Sequence, residues 1–183
     1  QVASLVNVAS AYLNAGVEPK RMGTAHGSIV PYQAFPTADG HIVIAAMNDD
    51  QFKRLCGYLD LQKLLEDPRF ATNPQRVAHR DAVLAEIGSR LLEHTTAHWM
   101  AILGDSQLAC GPINSVEQVF DDPQVHHRDM IMNLDHPHVG PIKVAGMAVK
   151  LSGTDANRVH RAPPLLGEHT EEILTEFAFS KEE

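Results

Sequence analysis

The segment best equipped for chemistry is Gly23-Thr24-Ala25-His26-Gly27-Ser28. Small residues let backbone N–H groups come close to a ligand, and such a loop can move as a cover. Thr24 and Ser28 add hydroxyl donors, and His26 adds an imidazole. The same stretch also reads as an ordinary turn from a linker into a strand, and spacing alone favours that simpler reading. Histidine otherwise dominates the chemical inventory, with 11 in the chain; His126-His127 and His136-Pro137-His138 stand out. A metal needs three or four converging ligands. Adjacent histidines on a helix point ~100° apart, and His136 and His138 flank Pro137 in a turn, where polar residues cost little. Structural or surface histidines are therefore expected, and no metal site. Cys56 and Cys110 are spaced neither as zinc ligands nor as a CxxC pair. Their apolar surroundings predict buried, reduced thiols in a cytosolic or mitochondrial-matrix protein. No nucleophile elbow, phosphate-binding loop, dinucleotide fingerprint or HExxH occurs. A Ser, His and Asp set can be picked from any such chain and marks no triad.

Composition narrows the classes further. With 44% hydrophobic and 21% charged residues, the 183-residue chain is globular, as one large domain or two small ones. Fifteen Lys and Arg against 23 Asp and Glu give a net charge of −8. No basic run is present to meet a nucleic-acid backbone. No apolar stretch approaches the ~18 residues that span a bilayer, and no basic segment precedes an apolar one as in a secretory signal. Only Ser180-Lys181-Glu182-Glu183 reads as disordered.

The elements that must position the loop follow from periodicity. Val2, Leu5, Val6, Ala9 and Leu13 recur at helical spacing over residues 2–15, and Gly16 is a natural stop. Gln1 thus falls inside a helical pattern without a cap, so sequence is expected to be missing upstream. Residues 29–35 and 41–46 predict a hairpin across Thr37-Ala38-Asp39-Gly40, with Gly40 at positive φ and Pro31 marking an edge. Helices are expected from Asn48 or Asp49 to Tyr58, over Leu61–Leu65, across 73–92, and from Thr95 or Thr96 to Leu103. Ser115-Val116-Glu117-Gln118 has capping-box spacing, and a short helix follows over Gln124–Asp129. Met130–Leu134, Gly140–Val144 and Ala148–Leu151 read as β pieces. A last helix opens near Glu168 or His169, with Ile173, Leu174 and Phe177 inward. This order is α+β. Residues 21–123 read as a small α/β domain, with 1–20 and 124–183 as flanking segments of a larger body.

Four segments in order resemble a known family. Gly23-Thr24 with Pro31-Tyr32-Gln33-Ala34-Phe35 and Thr37-Ala38-Asp39-Gly40, then Cys110-Gly111-Pro112-Ile113, then Asp122-Pro123-Gln124-Val125, then Arg161–Thr170, resemble the C-terminal part of class III CoA-transferases, the CaiB/BaiF family. The Thr24–Ser28 string with the strand after it looks most like the branch acting between succinyl-CoA and glutarate. The resemblance implies a nucleotide-fold-like large domain and an interlocked homodimer. It implies that an aspartate attacks the acyl-CoA thioester and passes through a mixed anhydride to an aspartyl-CoA thioester. That nucleophile is expected upstream of this chain, so the chain alone is expected to be inactive. No permanent cofactor is implied, only a coenzyme A thioester as substrate. In several members a glycine-rich loop covers the aspartate, and Thr24, Ala25, His26, Gly27 and Ser28 match its position. With Gly27 the sole glycine of those five, a stiffer loop is expected. Arg21, or Lys20, can meet a distal substrate carboxylate, Arg21 better through its fork, or both are solvated linker charges. A racemase of the same fold and a binding module without chemistry remain alternatives.

Overall fold

The computed structural model describes residues 2–154 and 161–179. The tail expected to be disordered, Ser180–Glu183, and the start at Gln1 lie outside them. The chain divides into two units, Gln1–Ile113 and Asn114–Glu183.

In the first unit a 3-10 turn (Val2–Leu5) leads into α1 (Val6–Ala15), closed by Gly16 at φ 63°. None of the side chains of α1 is buried. A three-stranded antiparallel sheet follows, in the order β1 (Tyr32–Pro36), β2 (His41–Ala45), β3 (Ala109–Pro112). Pro31 directly precedes the edge strand, where a missing donor is tolerated. Register pairs Phe35 with Ile42 and Ile44 with Cys110. The hairpin turn differs from expectation: Gly40 does not have positive φ. Its reason is proximity, since a Cβ there would stand 3.2 Å from Thr96 Oγ1. Asp39 Oδ1 accepts the Thr96 N–H at 2.7 Å, and the Thr37 and Thr96 hydroxyls lie 2.6 Å apart. The turn is thereby fastened to the start of a helix far along the chain.

Helices close the core over the sheet: α2 (Asp49–Tyr58), α3 (Lys63–Glu66), α4 (Asn73–Ala78), α5 (Arg80–Leu91) and α6 (Thr96–Leu103). Asn48 rather than Asp49 caps α2, accepting the Gln51 N–H, and Thr95 caps α6. The single pattern expected over 73–92 is two helices, because His79 leaves helical geometry at φ −116° and ψ 33°. Phe35, Ile42, Ile44, Phe52, Leu55, Val83, Ile87, Leu91 and Trp99 are buried together. The core also holds one charge. Arg76 is fully buried. It donates to the carbonyls of Val30 (2.8 Å) and Phe70 (3.0 Å) and to Asp49 Oδ1 (2.8 Å). Its guanidinium lies 4.2 Å from the centre of the Phe52 ring.

In the second unit, α7 (Val116–Asp121) begins at the expected capping box, with Ser115 and Gln118 each accepting the other's N–H. Then come α8 (Pro123–His127), a two-stranded antiparallel ribbon of β4 (Ile131–His136) and β5 (Gly140–Ala145), and α9 (Thr170–Glu176). Two expectations fail. Ala148–Leu151 forms no strand, as no described strand lies beside it to complete a ladder. Ile173, Leu174 and Phe177 are exposed rather than inward, since the described residues cover that face of α9 only in part.

Two outcomes follow. Arg76→Met orphans two backbone carbonyls beside the core and should destabilise the chain by on the order of 3 kcal/mol in urea unfolding. Arg76→Lys should not restore the loss, because an ammonium lacks the planar fork. The Thr96 N–H and the hydroxyls of Thr96 and Thr37 hold the Asp39 carboxyl below its ordinary range. A lowered folded-state value adds stability above the unfolded value, and that stability is lost as pH falls through the folded one. Asp39→Ala should therefore lower Tm at pH 7, and the gap should close as pH drops below about 4.

Candidate active-site loop

Residues 23–28 form one loop leading to β1, and the sequence-predicted residues Thr24, Ala25, His26, Gly27 and Ser28 are all in it. Gly23 has φ 59°, a conformation that favours glycine. Gly27 has no such φ, and a Cβ there would meet only Met22 Sδ at 3.8 Å. Neither the backbone nor its described surroundings therefore demand a glycine at 27.

The loop is fastened along its length. Ala25 N–H donates to Met22 O at 3.0 Å, and His26 N–H to Tyr32 O at 2.9 Å. Thr24 Oγ1 accepts the Ala34 N–H of β1 at 3.1 Å. The His26 ring stacks on Tyr32, centroids 5.2 Å apart and planes 13° from parallel. Ser28 N–H donates to His26 Nδ1 at 3.1 Å. From the helical side, Arg80 Nη2 donates to the carbonyls of His26 (3.0 Å) and Gly27 (2.9 Å). Asn73 bridges the loop's exit, donating to Ser28 O at 2.8 Å and accepting the Val30 N–H at 3.1 Å. The sequence suggested a stiff loop but missed Arg80 and Asn73. An arginine early in a helix reads as a surface charge. Asn73 reads only as the start of the helical pattern over 73–92, and nothing in that pattern announces a bond to Ser28.

Thr24, Gly27 and Ser28 are exposed, and Ala25 and His26 half-buried. Arg21 is exposed and, among the described residues, makes no hydrogen bond or ion pair to the loop. The cysteines offer no nucleophile. Burial pushes the Cys56 thiol up to about 12 and raises that of Cys110 as well, so both stay protonated near neutrality. The paired histidines have other surroundings. His126 and His127 are exposed at the end of α8. His136 Nδ1 accepts the His138 N–H at 3.1 Å, and His138 Nε2 lies 3.3 Å from Glu168 Oε1. The Leu165 N–H and then His138 hold Glu168 below the usual carboxylate range, and Arg161 does the same for Glu172 from 2.8 Å. Among the described residues, no group of three or more His, Cys, Asp or Glu side chains is placed to hold a metal ion. Nor is any described helix long and apolar enough to cross a membrane.

Comparison with known proteins gives this loop its context. The sequence model of CoA-transferase family III matches residues 1–170. The chain belongs to CoA-transferase family III. It is 46% identical over 176 residues to a succinyl-CoA:glutarate CoA-transferase of Mus musculus, covering 96% of this chain and 40% of that protein. It is 38% identical to a succinate–glutarate CoA-transferase of Agrobacterium fabrum over 96% of this chain and 44% of the relative. A CaiB/BaiF family protein from Brucella suis shares the fold, with a TM-score of 0.76 and 37% identity over 95% of this chain and 44% of that one. The chain thus spans about two fifths of the length of these curated relatives.

If Arg80 clamps the loop, Arg80→Met should speed amide hydrogen exchange at His26 and Ser28, while amides of β2 keep their protection.

Proposed function

We propose that this chain acts as the C-terminal part of a CoA-transferase that exchanges CoA between carboxylic acids, with C4–C5 dicarboxylates such as succinate and glutarate as the substrate class. The observation that carries the reading is the 46% identity with a succinyl-CoA:glutarate CoA-transferase across nearly the whole chain. A second relative with the same pair of acids in its name supports it. In this reading residues 21–123 are a small domain, and 1–20 and 124–183 return to a larger one. The attacking aspartate comes from outside these residues, and a homodimer is the working assembly. The protein needs no resident cofactor, because the thioester itself is the activated group. Its thiols suit a reducing compartment, the cytoplasm or, in a eukaryote, the mitochondrial matrix.

The loop Thr24–Ser28 is assigned to the cover of the reacting groups. Acyl exchange competes with hydrolysis, so excluding water is as necessary as activating the thioester. A loop already tied down by Arg80, Asn73 and Tyr32 loses little further freedom on binding substrate. Arg21, exposed beside the loop and better suited than Lys20 through its fork, is assigned to the distal carboxylate of the acid.

The full-length enzyme supplied with succinyl-CoA and glutarate should form glutaryl-CoA, followed by chromatography of the thioesters. The 183-residue chain alone should give none. Turnover by the chain alone would overturn the external nucleophile. Epimerisation of a branched acyl-CoA without exchange would replace the reading by a racemase. Arg21→Gln should raise KM for glutarate about tenfold, the loss of one charge-assisted bond, with little change for succinyl-CoA binding through its nucleotide.

A further inference from the structure

We propose that His26 is a neutral electrophile that donates a hydrogen bond from Nε2 to the acyl carbonyl oxygen during transfer; this rests on the CoA-transferase reading above. The geometry on one side of the ring defines what the other side can do. Nδ1 accepts the Ser28 N–H at 3.1 Å, and the Ser28 hydroxyl lies 3.5 Å away on the same nitrogen. A nitrogen that accepts a backbone N–H carries no proton of its own, so the neutral ring holds its hydrogen on Nε2. Among the described residues nothing takes that hydrogen. Meanwhile the ring and the backbone that carries it are both fixed. One ring face stacks on Tyr32, while the backbone N–H of His26 donates to Tyr32 O and its backbone carbonyl accepts from Arg80. A side chain so fully oriented, with one donor left over, has its conformational cost met before any ligand arrives.

The chemistry of that donor selects its target. A resting carboxylate is best met by a cation with a bidentate fork. A neutral N–H suits an oxygen on which charge only develops. In thioester exchange an attacking carboxylate oxygen forms a C–O bond to the acyl carbon, and the carbonyl electron pair moves onto the carbonyl oxygen. That pair then returns as the C–S bond breaks and the CoA thiolate leaves with its electrons. No proton is transferred, so a donor that keeps its hydrogen throughout is what the step requires. His26 holds the hydrogen against the oxyanion, and Arg80 is the positioning residue that fixes the ring's backbone.

The test uses the full-length enzyme. His26→Phe keeps the stack on Tyr32 and removes both nitrogens. Its kcat should fall about 10²-fold, the usual loss for one oxyanion donor, with KM for succinyl-CoA and glutarate within about threefold. His26→Gln, which keeps a neutral N–H donor, should recover part of the rate. Nitrogen-15 spectra of the wild-type imidazole should show the proton on Nε2. A wild-type-like kcat in a folded His26→Phe enzyme, or a proton on Nδ1, overturns the inference while leaving the transferase reading intact. So does a rise in KM with kcat unchanged, which marks His26 as a binding residue. A wild-type enzyme without CoA exchange overturns the reading itself, and this inference with it. Should His26→Phe fail to fold, the His26→Gln rate and the nitrogen-15 tautomer decide.

Discussion

The Arg76 guanidinium has no water to fall back on, so its donors need acceptors inside the protein. It finds them in three separate stretches: the carbonyl before β1, the carbonyl of the turn ahead of α4, and the carboxylate opening α2. Among the described residues, no buried side-chain nitrogen or oxygen is left without a partner. Because a buried unpaired charge costs several kcal/mol, these three stretches can approach only where all the bonds are made at once. Packing of Phe35, Phe52 and Leu55 supplies the driving force. The arginine supplies the constraint that makes one arrangement of the pieces much better than its near neighbours.

The loop over residues 23–28 inherits that constraint. Val30, whose carbonyl Arg76 holds, is also the residue whose N–H Asn73 accepts. Asn73 reaches on to Ser28, and Arg80, one helix later, to His26 and Gly27. Two helices thus present three polar side chains, Asn73, Arg76 and Arg80, bonded to backbone groups between His26 and Val30, more than forty residues earlier. The sheet contributes from the other side through Tyr32 and the Ala34 N–H. The geometry available to His26 is in this way an extension of the core.

Much of this was legible in the sequence, for physical reasons that differ by element. The hairpin, the Ser115–Gln118 box and the Gly16 stop depend on residues within a few positions of each other, so spacing reveals them. Four short segments in order also pointed to the family. The failures share a cause as well. Arg76 and Arg80 have the same letter and similar helical context, yet one is fully buried and the other serves a loop; only tertiary contact separates them. Gly40 was read as a backbone requirement when its neighbour Thr96, distant in sequence, explains it. Ala148–Leu151 and the apolar face of α9 have suitable patterns, but the first has no strand beside it among the described residues and the second is only partly covered, and pattern alone cannot supply either.

The buried cysteine has a consequence for a family that handles thioesters. Any free thiolate near an acyl-CoA is a rival acceptor, since sulfur-to-sulfur acyl exchange releases CoA and leaves the protein acylated. A thiol held at about 12 in the core, as Cys56 is, stays out of that exchange on two counts, charge state and access. Cys110, half-buried and raised in the same direction, is restrained more weakly. At these two positions the sulfur is kept chemically silent by packing alone.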